Sequence, residues 1–372
     1  MIFISILTLI VAKALPLLNK QISSIHFTRI ASIIFIYTGA ITLNCLYIQS
    51  IGSGIGIYSG LFHITQISQL IEIFLFLIGG LILIGWPSCG PLLYGGQRQV
   101  LPSPINITKN SDLTFSLFPM QKEQNSLESY KLNSSIESYS TDYSIIVLFS
   151  ILGSSLLISS FDLISLYLSI ELQSFGLYVL STLYRDSESS TSAGLKYFLL
   201  GGLSSCLILL GSGLIYSYTG VTNFESLYLL NSITDIDQQY VIQGLSLGLI
   251  IIFVGFLFKI AAAPLHNWSP DVYDGTPTIV TTWLTIIPKI SILIFLLELQ
   301  SQIGIIGGIK TKILSSTGYL VTMDSVSSLL PVEGLVIGLP VLKSLLLISS
   351  ILSLIIGSLL GLAQIRIKRL LA

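Results

Sequence analysis

The sequence predicts an all-α, polytopic membrane helix bundle, and three observations carry that prediction. Only 9% of its 372 residues are charged, where an ordinary soluble domain has about 25%. Hydrophobic residues make up 52%, and mean hydropathy is +0.87. Apolar runs recur at the length, about 20 residues, that a helix needs to cross a bilayer. Seventeen Lys+Arg against eighteen Asp+Glu leave a formal net charge of -1, so there is neither a basic surplus for nucleic acid nor an acidic tail. Cys45, Cys89 and Cys206 are too few and too scattered for a disulfide scaffold or a metal site. The many Phe, Tyr, Ile and Leu residues argue against a disordered chain.

Nine runs qualify as spans: residues 2–18, 28–48, 70–90, 143–160, 163–184, 195–219, 240–265, 278–299 and 341–362. The first carries Lys13 and Pro16 and lacks a small-residue cleavage pattern, so it reads as a retained span and not as a signal or transit peptide. With the next two it forms a leading unit over 1–93. Within that unit, residues 51–56 lack both a full GxGxxG and a flanking strand, and read as a flexible connection. Residues 94–142, polar and holding Pro102, Pro104 and Pro119, read as an extramembrane loop. The glycosylation-type triplets at Asn106 and Asn133 in that loop are of a kind common by chance. Residues 143–299 hold five spans and form the core; 300–340 is a second polar loop; 341–372 supplies the ninth helix and the start of a tenth.

Orientation follows from the positive charges, because Lys and Arg in short connections stay on the side from which insertion occurs. One side of a nine-span topology holds Lys20, Arg29, Arg98, Lys109, Lys122, Lys131, Arg185, Arg366, Lys368 and Arg369. The other holds Lys310, Lys312 and Lys343. Ten against three places the N-terminus outside and the loops at 19–29 and 94–142 inside.

Several charges fall within the spans, where one at mid-bilayer costs roughly 2.5 to 3.5 kcal/mol. Lys13, Glu72 and Glu298 lie near span ends, where snorkelling or a structural ion pair would hold them. Glu171, Lys196, Lys259 and Lys289 form the deeper set. Glu171 is about eight residues into its span, beside Ser169, Gln173 and Ser174. Lys259 is followed by Ala261, Ala262 and Ala263, small residues that let another helix approach. Pro264 lacks an amide hydrogen and displaces the carbonyl of Ile260, so the helix is expected to break just beyond Lys259. Broken membrane helices line water or ion paths; a harmless proline kink is the alternative, and a lysine next to the break weakens it. Lys289, after Pro288, is the deepest charge in the chain. His266, beyond the break, has the chemistry to pass protons or to serve as a hydrogen-bonded cap.

Such a row has the energetic range for proton work. Lifting a proton against roughly 150 to 200 mV costs about 3.5 to 4.6 kcal/mol. Burial or a changed neighbouring charge alters the protonation free energy of a lysine by roughly 4 to 7 kcal/mol.

Four stretches resemble one family: residues 169–175 (SIELQSF), 194–201 (GLKYFLLG), 258–275 with Phe258-Lys259 and Ala263-Pro264-Leu265-His266-Asn267-Trp268, and 365–372 (IRIKRLLA). Together they are similar to the chain 2 subunits of mitochondrial NADH:ubiquinone oxidoreductase, respiratory complex I, of fungal type. The resemblance covers most of 140–300 and the last few residues. It implies an antiporter-like bundle with a discontinuous seventh helix, which moves protons as distant quinone reduction drives a conformational and electrostatic change. It implies that Glu171 is the glutamate of the fifth helix that pairs with the lysine of the seventh, here Lys259. Lys289 would be the eighth-helix lysine of a central hydrophilic axis and Lys196 a supporting member, with Pro264 and His266 at the helix break. It also implies a multi-pass place in the mitochondrial inner membrane with the matrix as the inside, and the other membrane-arm subunits, the lipid bilayer and protons as partners. No cofactor or metal is expected on this chain; NAD, FMN, iron–sulfur clusters and ubiquinone would belong to other subunits.

Members of that family continue past the Lys368-Arg369-Leu370 stretch through further helices, including a second broken one. The 372 residues therefore hold about half of an implied inverted repeat. A piece of a longer chain, a completion by a separate chain and a shortened version are all open at this point. Two other functions share the same residues: a structural and assembly element whose buried charges only hold helices together, and a free-standing cation:proton antiporter.

Overall fold

A computed structural model describes residues 1–15, 24–48, 54–85, 142–184, 187–233, 239–303 and 341–370. Its helices are α1 (Ile2–Ala14), α2 (Ser24–Ile48), α3 (Gln66–Ile84), α4 (Asp142–Ser159), α5 (Leu163–Thr182), α6 (Glu188–Thr219), α7 (Phe224–Ile233), α8 (Gln239–Ile260), α9 (Trp268–Gly275), α10 (Thr278–Ile303), α11 (Val341–Leu362) and α12 (Ile367–Leu370). Two short strands, β1 (Ile55–Ile57) and β2 (Phe62–Ile64), precede α3. Among the described residues, eight helices are long and apolar enough to cross a membrane, and α1 adds a shorter apolar one. Each span read from the sequence overlaps a helix among the described residues; residues 16–18 and 86–90 of the first and third lie outside them, and the helix of the seventh span stops at Ile260, short of the 265 read from hydropathy. The polar stretches do not test so simply: 86–141 and 304–340, with Asn106, Asn133, Lys310 and Lys312, lie outside the described residues, as do Lys20, Arg98, Lys109, Lys122, Lys131 and Arg185.

The connections gather at two opposite ends. At one end the backbone N–H of Phe161 donates to the Leu61 carbonyl (3.0 Å), that of Leu163 to Thr222 (3.1 Å) and that of Phe224 to Phe161 (3.2 Å). This ties together the turns after α2, α4 and α6. At the other end Lys13 pairs with Asp142, while Arg366 and Arg369 pair with Asp274. Alternation of connections between two faces is what an antiparallel series of spans requires.

Of the segment 51–56 read as a flexible connection, residues 51–53 lie outside the described residues, while Ile55 and Gly56 belong to an antiparallel hairpin, with Ile55 opposite Ile64 and Ile57 opposite Phe62. Its turn carries Tyr58 and Ser59 at φ 54° and 59°, a conformation that costs a non-glycine residue about 1 to 2 kcal/mol. The turn signal in the composition is Ser59-Gly60, with Gly60 at φ 87°. Tertiary bonds hold the turn: Ser165 Oγ donates to the Leu61 carbonyl (3.0 Å) and Asn223 Nδ2 to that of Gly60 (3.2 Å).

Asp162 organises the same end. Its carboxylate accepts from Ile164 N (3.0 Å) and Thr222 Oγ1 (3.0 Å), and its own N–H donates to Ser165 Oγ (3.3 Å), completing a capping box at the start of α5. Asp162→Ala is expected to destabilise by about 1 to 3 kcal/mol, the cap plus one lost bond to a buried partner. Asp162→Asn, which keeps the acceptor oxygen, should recover most of it in the thermal midpoint of the detergent-solubilised assembly.

Two apolar cores fill the bundle. The first contains Phe27, Phe35, Tyr143, Leu177, Leu180, Trp283 and Ile287; Trp283 stacks on Phe35 and donates from Nε1 to Ser150 Oγ (2.9 Å). The second contains Leu166, Ile170, Phe224, Phe256, Leu257, Ile292 and Phe295. Both α5 and α10 run through the two cores, passing from one to the other between Ile170 and Leu177 and between Ile287 and Ile292. Those two intervals hold Glu171, Gln173 and Ser174 on α5, and Lys289 and Ser291 on α10. The outer surface is apolar, with Ile33, Phe74, Leu168, Leu195 and Leu354 all exposed, as lipid-facing helices require.

Candidate functional site

The polar interval between the cores is completed by the end of α8. That helix stops at Ile260 by a C-terminal cap of Schellman type: Ala262 N–H donates to the Leu257 carbonyl (3.0 Å) and Ala261 N–H to that of Phe258 (3.1 Å). The left-handed residue at the cap is Ala261, at φ 65°, where glycine is usual. Pro264, which has no N–H, follows in the connecting turn. Trp268 Nε1, at the start of α9, reaches back to the same Phe258 carbonyl (2.9 Å), which accepts from both Ala261 N–H and the indole. The helix thus breaks where the proline predicts, and Lys259 stands in its last turn, next to carbonyls that attract a cation.

Lys259 Nζ donates to Ser174 Oγ at 2.6 Å and lies 3.9 Å from Glu171 Oε1. Their side chains are only 7% and 16% exposed, so this is a buried pair. At 3.9 Å the carboxylate is attracted by roughly 4 kcal/mol at an effective dielectric near 20, yet stands beyond hydrogen-bond range. Glu171 Oε1 itself has no hydrogen-bond partner among the described residues. A shift of about 1 Å would therefore make or break a charge-assisted bond. Beside Lys259 a cavity of about 20 Å³ is bordered by Gln173, Ser174, Tyr178, Trp268 and Pro288. That volume admits one water.

The eighth span meets this region through hydrogen bonds. Gln173 Nε2 donates to Ser291 Oγ (2.9 Å), which donates to the Pro288 carbonyl (3.0 Å), one turn earlier on α10. Lys289 Nζ sits 5.3 Å from the centre of the Tyr273 ring on α9, a cation–π contact. Tyr273 packs edge-on against Trp268, which stacks on Tyr197 and Phe258. The aromatic series thus joins Lys289 to the break beside Lys259.

Two expected members stand elsewhere. Lys196 is not in the buried row: although α6 starts at Glu188, earlier than the hydropathy run, its side chain pairs with Asp271 at 2.9 Å and is half exposed. Arg369 approaches the same Asp271 (3.8 Å) and bonds Asp274 (3.0 Å), and Lys368 Nζ caps the Thr276 carbonyl (2.8 Å). Burial lowers the Lys368 ammonium below the ordinary lysine value, with Asp274 acting against that shift. His266 follows the break with its carbonyl accepting from Ser269, while its Nδ1 is buried without a partner among the described residues. Sequence reasoning missed Ser174, Gln173 and Ser291 as participants. The signal available was spacing: Ser174 follows Glu171 by three residues, one face of a helix. Among the described residues no cluster of three His, Cys, Asp or Glu could hold a metal.

A bundle of membrane-crossing helices with a broken helix that ends on a buried Lys–Glu pair defines the class as antiporter-like. Residues 160–327 match the family model described as NADH:quinone oxidoreductase/Mrp antiporter, TM. The whole chain aligns at 43% identity with NADH-ubiquinone oxidoreductase chain 2 of Rhizopus oryzae, covering 59% of that relative. The Marchantia polymorpha chain 2 is 41% identical over 231 residues, 61% of this chain and 40% of that one. A chain of respiratory complex I from Thermus thermophilus superposes with TM-score 0.59 at 21% identity, covering 100% of this chain and 60% of its own; that likeness speaks for the fold. The chain is thus similar along its whole length to NADH-ubiquinone oxidoreductase chain 2 of Rhizopus oryzae and spans about three fifths of that relative's length.

Proposed function

We propose that the chain is a proton-translocating part of the membrane arm of a mitochondrial NADH:ubiquinone oxidoreductase. It works in the inner membrane with the other membrane-arm subunits, with its N-terminus toward the intermembrane space and the Lys196–Asp271–Arg369 end toward the matrix. The observation that carries this reading is the polar interval between two apolar cores, where Glu171, Ser174 and Lys259 meet at a helix end. Protons held on Lys259 pass by way of Ser174, the single-water space and the α10 interval toward Lys289, with His266 serving the far side of the break. Lys259 gains or loses its proton as Glu171 moves into or out of hydrogen-bond range. Electron transfer, with its NAD, FMN, iron–sulfur and ubiquinone groups, takes place on other subunits.

The test compares two lysines in the assembled complex. Lys289→Ala should lower proton translocation coupled to NADH oxidation by roughly three- to tenfold, about 0.7 to 1.4 kcal/mol of barrier. Lys196→Ala should cost less than about twofold, since its ammonium is half exposed and Asp271 retains Arg369. Normal translocation in the Lys289 variant would refute the proposed path. Loss of the assembled arm in that variant would favour the structural and assembly reading.

A further inference from the structure

Glu72 stands apart from everything described so far. Read from hydropathy it is an end-of-span residue, but α3 begins at Gln66, so Glu72 lies six residues in. At 1.5 Å per residue this is about 9 Å from the helix start, too deep for a short side chain to reach the interface easily. Unlike Glu171 and Asp142, it has no ion pair or hydrogen bond to another described residue. An intramembrane acid without a counter-ion is costly as an anion.

It does have access to space. Glu72 lines a groove of about 490 Å³ between α1, α2, α3 and α4, whose other polar walls are Thr38, Thr42 and Ser155. The groove is open and its other walls are apolar; at about 30 Å³ per molecule its volume is that of on the order of ten waters, and its polar groups gather on the α2, α3 and α4 walls. The lining residues come from the start of α1, the second half of α2, the first half of α3 and the second half of α4, which is in each case the half nearest the hairpin. On α3 itself Thr65, Ser68, Gln69 and Glu72 follow at helical spacing, a polar strip running inward from that end. Gln69 Nε2 donates to the Thr42 carbonyl (3.3 Å), while its Oε1 is buried without a partner among the described residues.

The other titratable group among the lining residues is the α-amine of Met1. Elsewhere on the packed helices, Lys13, His26, Arg29 and Tyr143 lie at the opposite end; Tyr37, Cys45 and Tyr47 of α2 are exposed; Lys289 and Glu298 of α10 do not line the groove.

We infer that Glu72 is a proton-binding carboxyl reached by water from the hairpin end through the α1–α4 groove, separate from the Glu171–Lys259–Lys289 interval. Its ligand class is a proton, and its diagnostic reagent a hydrophobic carbodiimide. The carboxyl proton passes to one carbodiimide nitrogen as the carboxylate oxygen bonds the central carbon, and the O-acylisourea rearranges to a stable N-acylurea with no other reactant.

The experiment treats the assembled complex in its membrane with N,N′-dicyclohexylcarbodiimide at neutral pH and locates adducts by peptide mass spectrometry. In parallel, infrared difference spectra compare wild type with the near-isosteric Glu72→Gln variant in H₂O and D₂O. An adduct on Glu72 is expected, together with a protonated-carboxyl band that is missing in the variant and shifts in D₂O. Absence of the adduct, absence of the band, or a band unmoved by D₂O would overturn the inference. Pumping is read in neither arm, so this result stands or falls independently of the proposed function.

Discussion

Lys259→Met should reduce proton translocation coupled to NADH oxidation at least tenfold, about 1.4 kcal/mol or more of barrier, while the complex still assembles. The ammonium it removes is the only cation in reach of Glu171 among the described residues, and it also holds Ser174 Oγ at 2.6 Å. Removing one member of a buried pair costs about 3 to 5 kcal/mol when the other remains charged, so the single variant alone does not separate a proton site from a structural brace. The double variant Glu171→Gln/Lys259→Met does. If the pair only braces α5 against α8, neutralising both members leaves no uncompensated charge, and activity should return toward wild type. If the pair handles protons, the double variant stays as inactive as the single one. Lys259→Arg adds a third reading, because a guanidinium keeps its charge but does not give up its proton. Activity near wild type in Lys259→Arg would sink the proton-handling role.

Much of this arrangement is legible in the chain before any coordinates are seen, for reasons that differ by level. Span positions follow from the cost of unsatisfied backbone in lipid, which makes apolar length a nearly sufficient signal. The break after Ile260 follows from Pro264, a local rule. What stays hidden depends on where helices begin and on neighbours distant in sequence. Polar residues at helix starts pull a hydropathy boundary inward. The first turns of α3 and α6, with Gln66, Ser68 and Gln69 in one and Glu188, Ser189 and Ser190 in the other, therefore fall outside the apolar runs. That effect displaced Glu72 toward the interface; Lys196 stands outside the buried row for a different reason, its pairing with Asp271, a neighbour 75 residues away in sequence. The hairpin is hidden for another reason: Tyr58 and Ser59 take left-handed conformations unusual for these residues, and bonds from α5 and the turn after α6 help to hold them. Ser174 was visible as a polar neighbour of Glu171, but only the approach of α8 makes it the acceptor for Lys259.

The position of Lys259 depends on how closely α8 lies against α6, and that distance is set by three glycines. A Cβ on Gly248 would stand 2.6 Å from Ile215 Cγ1 and 2.9 Å from the Gly211 carbonyl oxygen. One on Gly211 would meet Ile252 Cγ1 at 2.6 Å and the Gly248 carbonyl oxygen at 2.7 Å. Gly255, one turn before Lys259, faces Ile208 and the Ser204 carbonyl in the same way, at 2.6 and 3.0 Å. Each glycine thus receives an isoleucine of the other helix, and backbone oxygen stands directly behind it. An isoleucine could change rotamer, but a carbonyl in a helix cannot move aside, so any larger residue must push the helices apart. Gly248→Val is therefore expected to cost about 3 kcal/mol or more, at the upper end for an overpacked interface, and to cut the amount of assembled complex severalfold on native gels. Gly213→Ala is the control: it lies on the facing helix α6, two residues after Gly211, with nothing within 4 Å of its Cβ position. That control should leave assembly unchanged or slightly improved, because alanine is the better helix former. Gly255→Ala should act between the two, sparing assembly but lowering coupled translocation, since it displaces the turn that carries Lys259 away from Ser174. If Gly248→Val assembled at the level of Gly213→Ala, the close seating of α8 on α6 would not be what positions the buried pair.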